Sequence, residues 1–363
     1  MPRWTVVVPM LALGVLAATW SSHPDGPLLV VIGVFLAGAV PAAVHHAEVV
    51  AHRVGEPFGA LVLAVAVTVI EVALIVTLMI SAKSGSDTAT LARDTVFAAV
   101  MITCNGIVGL SLLVGTLRRG TAEFNAEGTA SALGTVLTLA TLSLVLPTFT
   151  TSEPGPEFSS EQLTFAAVAS LVIYGLFVFV QTVRHREDYL PVETPDDGDG
   201  DGDDDHDGPP PTNRETFTSL GLLVVALVAV VGLAKLESPA IEDAIAAMGA
   251  PPSAVGVVIA LVVLAPEAVT AVKNARRDRI QVSLNLALGS AMASIGLTIP
   301  AIAVASIWLD GPLVLGLGST QLVLLGITAV VGALTILPGR ATLQEAGVHL
   351  ALVAAFLFLA VRP

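Results

Sequence analysis

The sequence predicts an all-α membrane protein with eleven transmembrane helices: one N-terminal helix plus two inverted five-helix repeats. Three features point there. The 363 residues are 54% hydrophobic and 13% charged, with a mean hydropathy of +0.85. A soluble domain is nearer ~45–50% apolar and ~25% charged. Eleven apolar stretches are each long enough, or nearly so, to cross a bilayer. One hydrophilic run then splits them into sets of six and five.

The stretches begin near Thr5, Leu28, Phe58, Val96, Ala132, Phe165, Phe217, Ala254, Ile280, Leu313 and Ala346. They end near Trp20, Val44, Ser81, Leu117, Pro147, Val183, Ala234, Val272, Leu309, Leu337 and Val361. A crossing needs about 20 mostly apolar residues for roughly 30 Å of hydrocarbon. The runs are too long and continuous for the alternation of a β-barrel. The first is short and follows Arg3, as a signal peptide would. It reads as a retained helix, since its removal leaves the register of the rest unchanged. With the N-terminus in the cytoplasm, twelve of the 16 Lys and Arg residues fall in inside segments and four outside. That bias is the one expected of a multi-pass protein of the plasma or inner membrane.

Charge is concentrated in one place. Of 30 acidic residues, 11 lie between Glu187 and Asp207, and without them the net charge of −14 falls to −3. The rest is a nearly neutral, apolar chain, which argues against a soluble enzyme. With no basic run, no nucleic-acid partner is expected. The single cysteine, Cys104, can form neither an internal disulfide nor a zinc cluster; it reads as a packed core residue. The segment PVETPDDGDGDGDDDHDGPPPT is too poor in apolar residues to build a core and is expected to be a disordered cytoplasmic linker, residues 185–215. The expected organisation is then an N-terminal helix and loop (1–26), a first repeat of helices two to six (27–184), the linker, and a second repeat of helices seven to eleven (216–363). Five is odd, so the second set starts on the opposite face and runs antiparallel to the first.

Two glutamates occupy matching places in these halves. Glu71 lies 13 residues after the start of helix three and Glu267 lies 13 residues after the start of helix eight. At 1.5 Å per residue that is roughly 20 Å, close to the bilayer middle. Neither helix carries a cation beside its glutamate. An acidic group at such depth costs about 2.5–3.5 kcal/mol on insertion scales, and so marks an ion pathway by default. A protonated glutamate bonded to a neighbouring helix is the bland alternative, less apt for two at equal depth. Two facing carboxylates repel, and a divalent cation between them removes the repulsion. Calcium takes six to eight oxygens and favours carboxylate with carbonyl. Pro266, before Glu267, frees a carbonyl a turn earlier at Val262; in helix three any break rests on Thr68. Asn105, Ser290 and Ser294 are candidates to complete the oxygen shell. Cation and protons would compete for the same two carboxylates, and that competition is the coupling.

At these residues the chain resembles the prokaryotic calcium/proton antiporters of the cation/calcium exchanger superfamily. HHAEVVAHRVGEPFGALVLAVAVTVIEVALIV, residues 45–76, is similar to that group's first conserved repeat, as is ARDTVFAAVMITCNGIVGLSLL after it. VIALVVLAPEAVTAVKNARRDRIQVSLNLALGSAMASIGLTIP is similar to the second, including its Gly289-Ser290 pair. The resemblance implies an eleven-helix fold holding a cation between Glu71 and Glu267, with Asn105, Ser290 and Ser294 as further ligands. Some members exchange sodium or potassium instead. Helix four departs from the pattern, with Val100-Met101 where the Gly-Ser pair would stand.

Other residues have competing readings. His45, Glu48 and His52 share one helical face at the expected cytoplasmic mouth, as a proton relay or an ordinary polar face; histidine titrates near neutrality. His46 points elsewhere. Glu56-Pro57 suits a helix N-terminus. Asp197, Asp199, Asp201 and Gly202 mimic half of an EF-hand, but Gly208 stands where its bidentate Glu belongs, so a solvated linker is the better reading. Lys273, Arg276, Arg277 and Arg279 set topology. The expected function is secondary calcium efflux coupled to proton influx, with no enzymatic step and no cofactor; its partners are calcium, protons and the bilayer. Rivals are a sodium or potassium/proton antiporter of the same fold, a passive cation channel and a non-transporting scaffold. An ATP-driven pump lacks a P-loop.

Overall fold

The structure, a computed structural model, describes residues 2–20, 22, 26–55, 58–81, 89–191, 211–308 and 311–363. They form eleven helical rods: α1 (Arg3–Thr19), α2 (Pro27–Val54), α3 (Phe58–Ser81), α4 (Leu91–Arg119), α5 (Ala126–Thr148), α6 (Ser160–Arg184), α7 (Asn213–Ala247), α8 (Ala254–Arg276), α9 (Ile280–Ala305), α10 (Ser319–Ile336) and α11 (Leu343–Val361). Ten are long and apolar enough to span a membrane; α1, at 17 residues, is shorter. The chain is thus an all-α membrane protein. Large apolar side chains such as Val30, Phe165, Leu176, Phe217, Leu334 and Phe358 remain exposed along the outer faces, where a bilayer would cover them.

The rods begin where polar caps allow. Ser159, Thr212 and Thr342 each close a capping box with the Gln or Glu three residues on, and Asn125 accepts from the amides of Glu127 and Gly128. Three rods contain a π-helical turn: Ile102–Ile107 in α4, Thr141–Val145 in α5 and Val180–Arg184 in α6. Such turns widen the backbone and often accompany functional sites.

Some boundaries differ from the sequence reading. Helix ten was expected from Leu313 but starts at Ser319. The preceding GPLVLGLG is rich in Gly and Pro, and its amides bond to other segments rather than to a helix of its own: Val314 to the Ala89 carbonyl, Gly316 to Pro156 and Leu317 to Leu144. Helix seven runs 13 residues beyond Ala234, through Pro239, because LESPAIEDAIAA is polar enough to leave the apolar window yet still helical. The linker was expected from residue 185, but Arg186–Tyr189 forms a short 3₁₀ turn whose Tyr189 ring is buried and stacks edge-on against Phe177. The acidic run at 192–210, including the EF-hand-like aspartates, lies outside the described residues, as do Glu56-Pro57 and Lys83.

Packing follows the two halves. Counting α2–α6 against α7–α11, α2 lies along α7, α3 packs on α9, and α8 packs on α4. Each contact is its own repeat-related mate or the mate of another. Likewise α9 packs on α6 while α4 packs on α11. One buried core is built mainly from α1, α2, α3, α7 and α8; the other from α4, α5, α6, α9, α10 and α11 with part of α8. A two-residue antiparallel pairing, Ala122–Glu123 with Arg340–Ala341, ties the α4–α5 and α10–α11 loops.

Candidate functional site

α3 reads LVLAVAVTVIEVALIV and α8 reads VVIALVVLAPEAV, so each glutamate enters the interior on an otherwise apolar rod. Glu71 is 4% exposed and Glu267 8%. Both line one cavity of about 280 Å³. The Ser294 hydroxyl, from α9, donates to Glu71 Oε1 at 2.7 Å. Glu267 Oε2 is buried and has no hydrogen-bond partner among the described residues. A buried, unpaired carboxylate oxygen is costly unless something charged or protic meets it.

The cavity's polar wall adds Thr68 beside Glu71, and Ser290 and Gly289 one turn before Ser294. It then runs past Asn285 to Gln181 and Thr182 on the π turn of α6. All these residues lie between the two glutamates and one face of the molecule, the face where α6 ends and α3 and α9 begin. Asn285 is held there by Gln281, which donates to its Oδ1 at 2.8 Å, and by its own amide donating to the Tyr189 carbonyl at 2.6 Å. Two glycines bear on this wall in opposite ways. A Cβ on Gly296 would stand 2.7 Å from Tyr174 Cβ, so only glycine lets α9 and α6 meet so closely. A Cβ on Gly289 would meet nothing within 4 Å; its absence leaves open space beside the carboxylates.

Of the residues singled out from sequence, Glu71, Glu267, Thr68, Ser290 and Ser294 meet in this cavity, and Asn105 does not line it. The Asn105 amide donates to Thr328 Oγ1 at 3.0 Å, and its Oδ1 faces His349 Nδ1 at 3.1 Å. The expected unwinding is also absent: α3 and α8 are continuous helices through Thr68 and Pro266. Val262, whose carbonyl Pro266 leaves without its helical donor, does not line the cavity, and the backbone irregularity lies instead in the π turns of α4 and α6. Among the described residues no three His, Cys, Asp or Glu side chains converge, so the site offers two carboxylates with hydroxyls and amides around them.

His45, Glu48 and His52 are not among the cavity's lining residues. His45 Nδ1 lies 3.9 Å from Glu48 Oε2, a pair still partly open to solvent. His52 is half-buried further along α2. His46 is buried, with Nε2 2.8 Å from the Thr5 carbonyl and Nδ1 3.3 Å from Ser219 Oγ; it joins α1, α2 and α7. Cys104 is buried, as a packed residue should be. Sequence reasoning missed Gln181 and Thr182, which the linear chain separates from both glutamates; a polar pair closing an apolar helix was their only signal.

The comparisons agree with this architecture. A protein from Sinorhizobium fredii described as a putative ionic transporter, y4hA, is 44% identical over 100% of this chain and 97% of its own length. The sodium-potassium/proton antiporter ChaA of Escherichia coli is 33% identical over 97% of this chain and 94% of its own. Among solved structures, the Ca²⁺/H⁺ antiporter protein YfkE superposes with a TM-score of 0.69 at 15% identity, covering 99% of both chains; this shows the shared fold. The family described as sodium/calcium exchanger protein matches residues 27–183 and 218–362, both five-helix sets. With ten apolar spans and a pair of buried carboxylates drawn from the two matched segments, the chain belongs to the sodium/calcium exchanger family of membrane transporters.

Proposed function

We propose that the chain is a secondary antiporter that exchanges a cation for protons at Glu71 and Glu267, and that calcium is its principal cargo. The observation that carries this is the shared cavity, with one carboxylate from each half and Glu267 Oε2 left unpartnered. Two full negative charges suit a divalent ion, whose entry cancels their mutual repulsion. Their oxygens, with Ser294, Ser290, Thr68 and bound water, reach the six to eight that calcium takes. Protons compete for the same oxygens, so the site carries one cargo or the other. It makes and breaks no covalent bond and needs no resident cofactor.

The Lys and Arg distribution supports an N-terminus in the cytoplasm and, with it, an open face of the cavity on that side. His45, Glu48 and His52 lie on the same side, on α2, and fit a polar approach route for protons and cations. Calcium would then load from the cytoplasm and leave when protons arrive from outside. Alternating access would come from the α2–α7 layer moving against the larger α4–α6 and α9–α11 body. A second reading, sodium or potassium as cargo, is favoured by the name of the Escherichia coli relative.

Proteoliposomes with an imposed pH gradient separate these. The proposal expects proton-driven uptake of labelled calcium that is lost in Glu71→Gln and Glu267→Gln. Equal proton coupling to sodium or potassium with no calcium uptake would establish the second reading. Cation flux without a proton gradient would identify a channel, and undiminished exchange in both variants would overturn the site.

A further inference from the structure

α4 and α9 occupy corresponding places in the two repeats, yet their polar side chains meet different partners. Taking Val100-Met101 as the counterpart of Gly289-Ser290, four residues on from Met101 is Asn105, and four on from Ser290 is Ser294. Ser294 donates to a cavity glutamate, Glu71. By the same relation Asn105 should serve Glu267, on the helix that α4 packs against. It is instead turned toward α10 and α11.

A closed polar chain holds it there. Thr328 Oγ1, the Asn105 amide, the His349 ring and Thr335 Oγ1 follow one another at 3.0, 3.1 and 3.1 Å. All four residues are at most 2% exposed. With Asn105 Nδ2 donating to Thr328, its Oδ1 must accept, so His349 carries its proton on Nδ1. Nε2 then accepts from the Thr335 hydroxyl. Every polar atom of the ring is used, in a core that includes Phe97, Met101, Ile107 and Phe356. Gly109 lets His349 come this near, since a Cβ there would stand 3.0 Å from His349 Cβ. On α8, which α4 packs against, Glu267 Oε2 has no hydrogen-bond partner among the described residues.

We propose that His349 is a positioning residue for exchange: it holds the Asn105 amide away from Glu267 while the cavity is open on its present face, and it gives that amide up when access passes to the opposite face. The inference rests on the reading of the two glutamates as an alternately exposed site. Its physical content is a change of partner. Turning the Asn105 amide to Glu267 would break its bonds to both Thr328 and His349, so the strength of the His349 contact weights one arrangement against the other.

Thiol accessibility tests this without relying on transport. Cys104 is the only cysteine and is buried, so a Gln181→Cys variant presents one reactive thiol in the cavity. In oriented vesicles a membrane-impermeant maleimide should label it from the open face. His349→Leu frees Asn105 and should slow that labelling by about fivefold, the worth of one buried hydrogen bond. His349→Asn keeps an N–H donor near the Nδ1 position and should restore the rate. Thr335→Val, which unties the far side of the ring, should fall between. In an Asn105→Ala background His349→Leu should have no further effect, whereas a purely packing role would slow labelling there too. If His349→Leu does not fold, Thr335→Val must still slow labelling and His349→Asn must not. Unchanged labelling in His349→Leu, or equal slowing with and without Asn105, overturns the proposal. Loss of exchange in Glu267→Gln alongside unchanged His349→Leu labelling would sink this inference alone. Undiminished exchange in Glu267→Gln would sink the site reading instead.

Discussion

The two repeats present the same kind of polar junction in two conditions. Where α9 meets α6, the junction is hollow: Ser294 reaches Glu71, and Thr68, Ser290 and Gln181 line open space. Where α4 meets α11, it is filled: Asn105 and His349 bond to each other and to two threonines of α10, with aromatic rings edge to face at 5.7 Å beside them. The glycines that permit close helix approach are on both sides, Gly296 against Tyr174 and Gly109 against His349. So the difference between the junctions lies in which polar atoms have found protein partners. An inverted repeat with identical halves would be equally open or equally closed on both faces. Here one junction satisfies its polar groups internally and the other leaves them facing a cavity, the asymmetry that the proposed exposure to one face at a time needs.

Removing charge from the hollow junction should break the comparison most severely. Glu71→Gln or Glu267→Gln takes away one of two charged ligands, a loss of about 3 kcal/mol or more. Cation affinity in a binding or vesicle-exchange assay should fall by about 100-fold or more. Wild-type affinity in either variant would mean that the carboxylates are not ligands. A steric change comes next. Gly296→Ala places a methyl 2.7 Å from Tyr174 Cβ, and the α6–α9 contact must part. Thermal stability in detergent should drop by about 1–3 kcal/mol. Gly109→Ala, at 3.0 Å from His349 Cβ, should follow at the lower end of that range.

Ser294→Ala removes the hydrogen bond to Glu71 and one proposed hydroxyl ligand, and leaves both carboxylates in place. That should weaken half-saturation by about tenfold, with the maximal rate less affected. Lower pH on the loading side should mimic it, raising the half-saturating cation concentration as protons occupy the same carboxylates. The smallest effect is expected at Gly289, despite its place in the Gly-Ser pair. A Cβ there meets nothing within 4 Å, and alanine stabilises a helix interior by up to about 1 kcal/mol relative to glycine. Gly289→Ala should therefore fold and melt at or above the parent temperature. A fall would show that the cavity collapses on that wall in another state.

Glu71 and Glu267 were legible in the chain because each is an acidic residue in an uninterrupted apolar helix, at equal depth in two halves. Nothing but insertion cost and spacing was needed to single them out. Thr68, Ser290 and Ser294 followed from lying on or next to those helices within a turn or so of the same depth. Asn105 shows where that reasoning stops. Its depth and type matched the ligands, but the direction of its side chain is set by α10 and α11, more than two hundred residues away. The irregular run before α10 was likewise hidden. Its leucines and valines have the hydropathy of a span, while the amides of Val314, Gly316 and Leu317 donate to the carbonyls of Ala89, Pro156 and Leu144.

Hydropathy, the acidic run and the placement of Lys and Arg were enough, in the linear chain, for an all-helical membrane protein in two halves with two deep carboxylates. Those properties follow from the cost of putting polar atoms in hydrocarbon, which each segment meets alone. Tertiary structure decided which polar side chains share a cavity, which are spent on one another, and which face of the junction is open. Hydrogen bonds between distant helices are chosen by packing, and no local pattern records the choice.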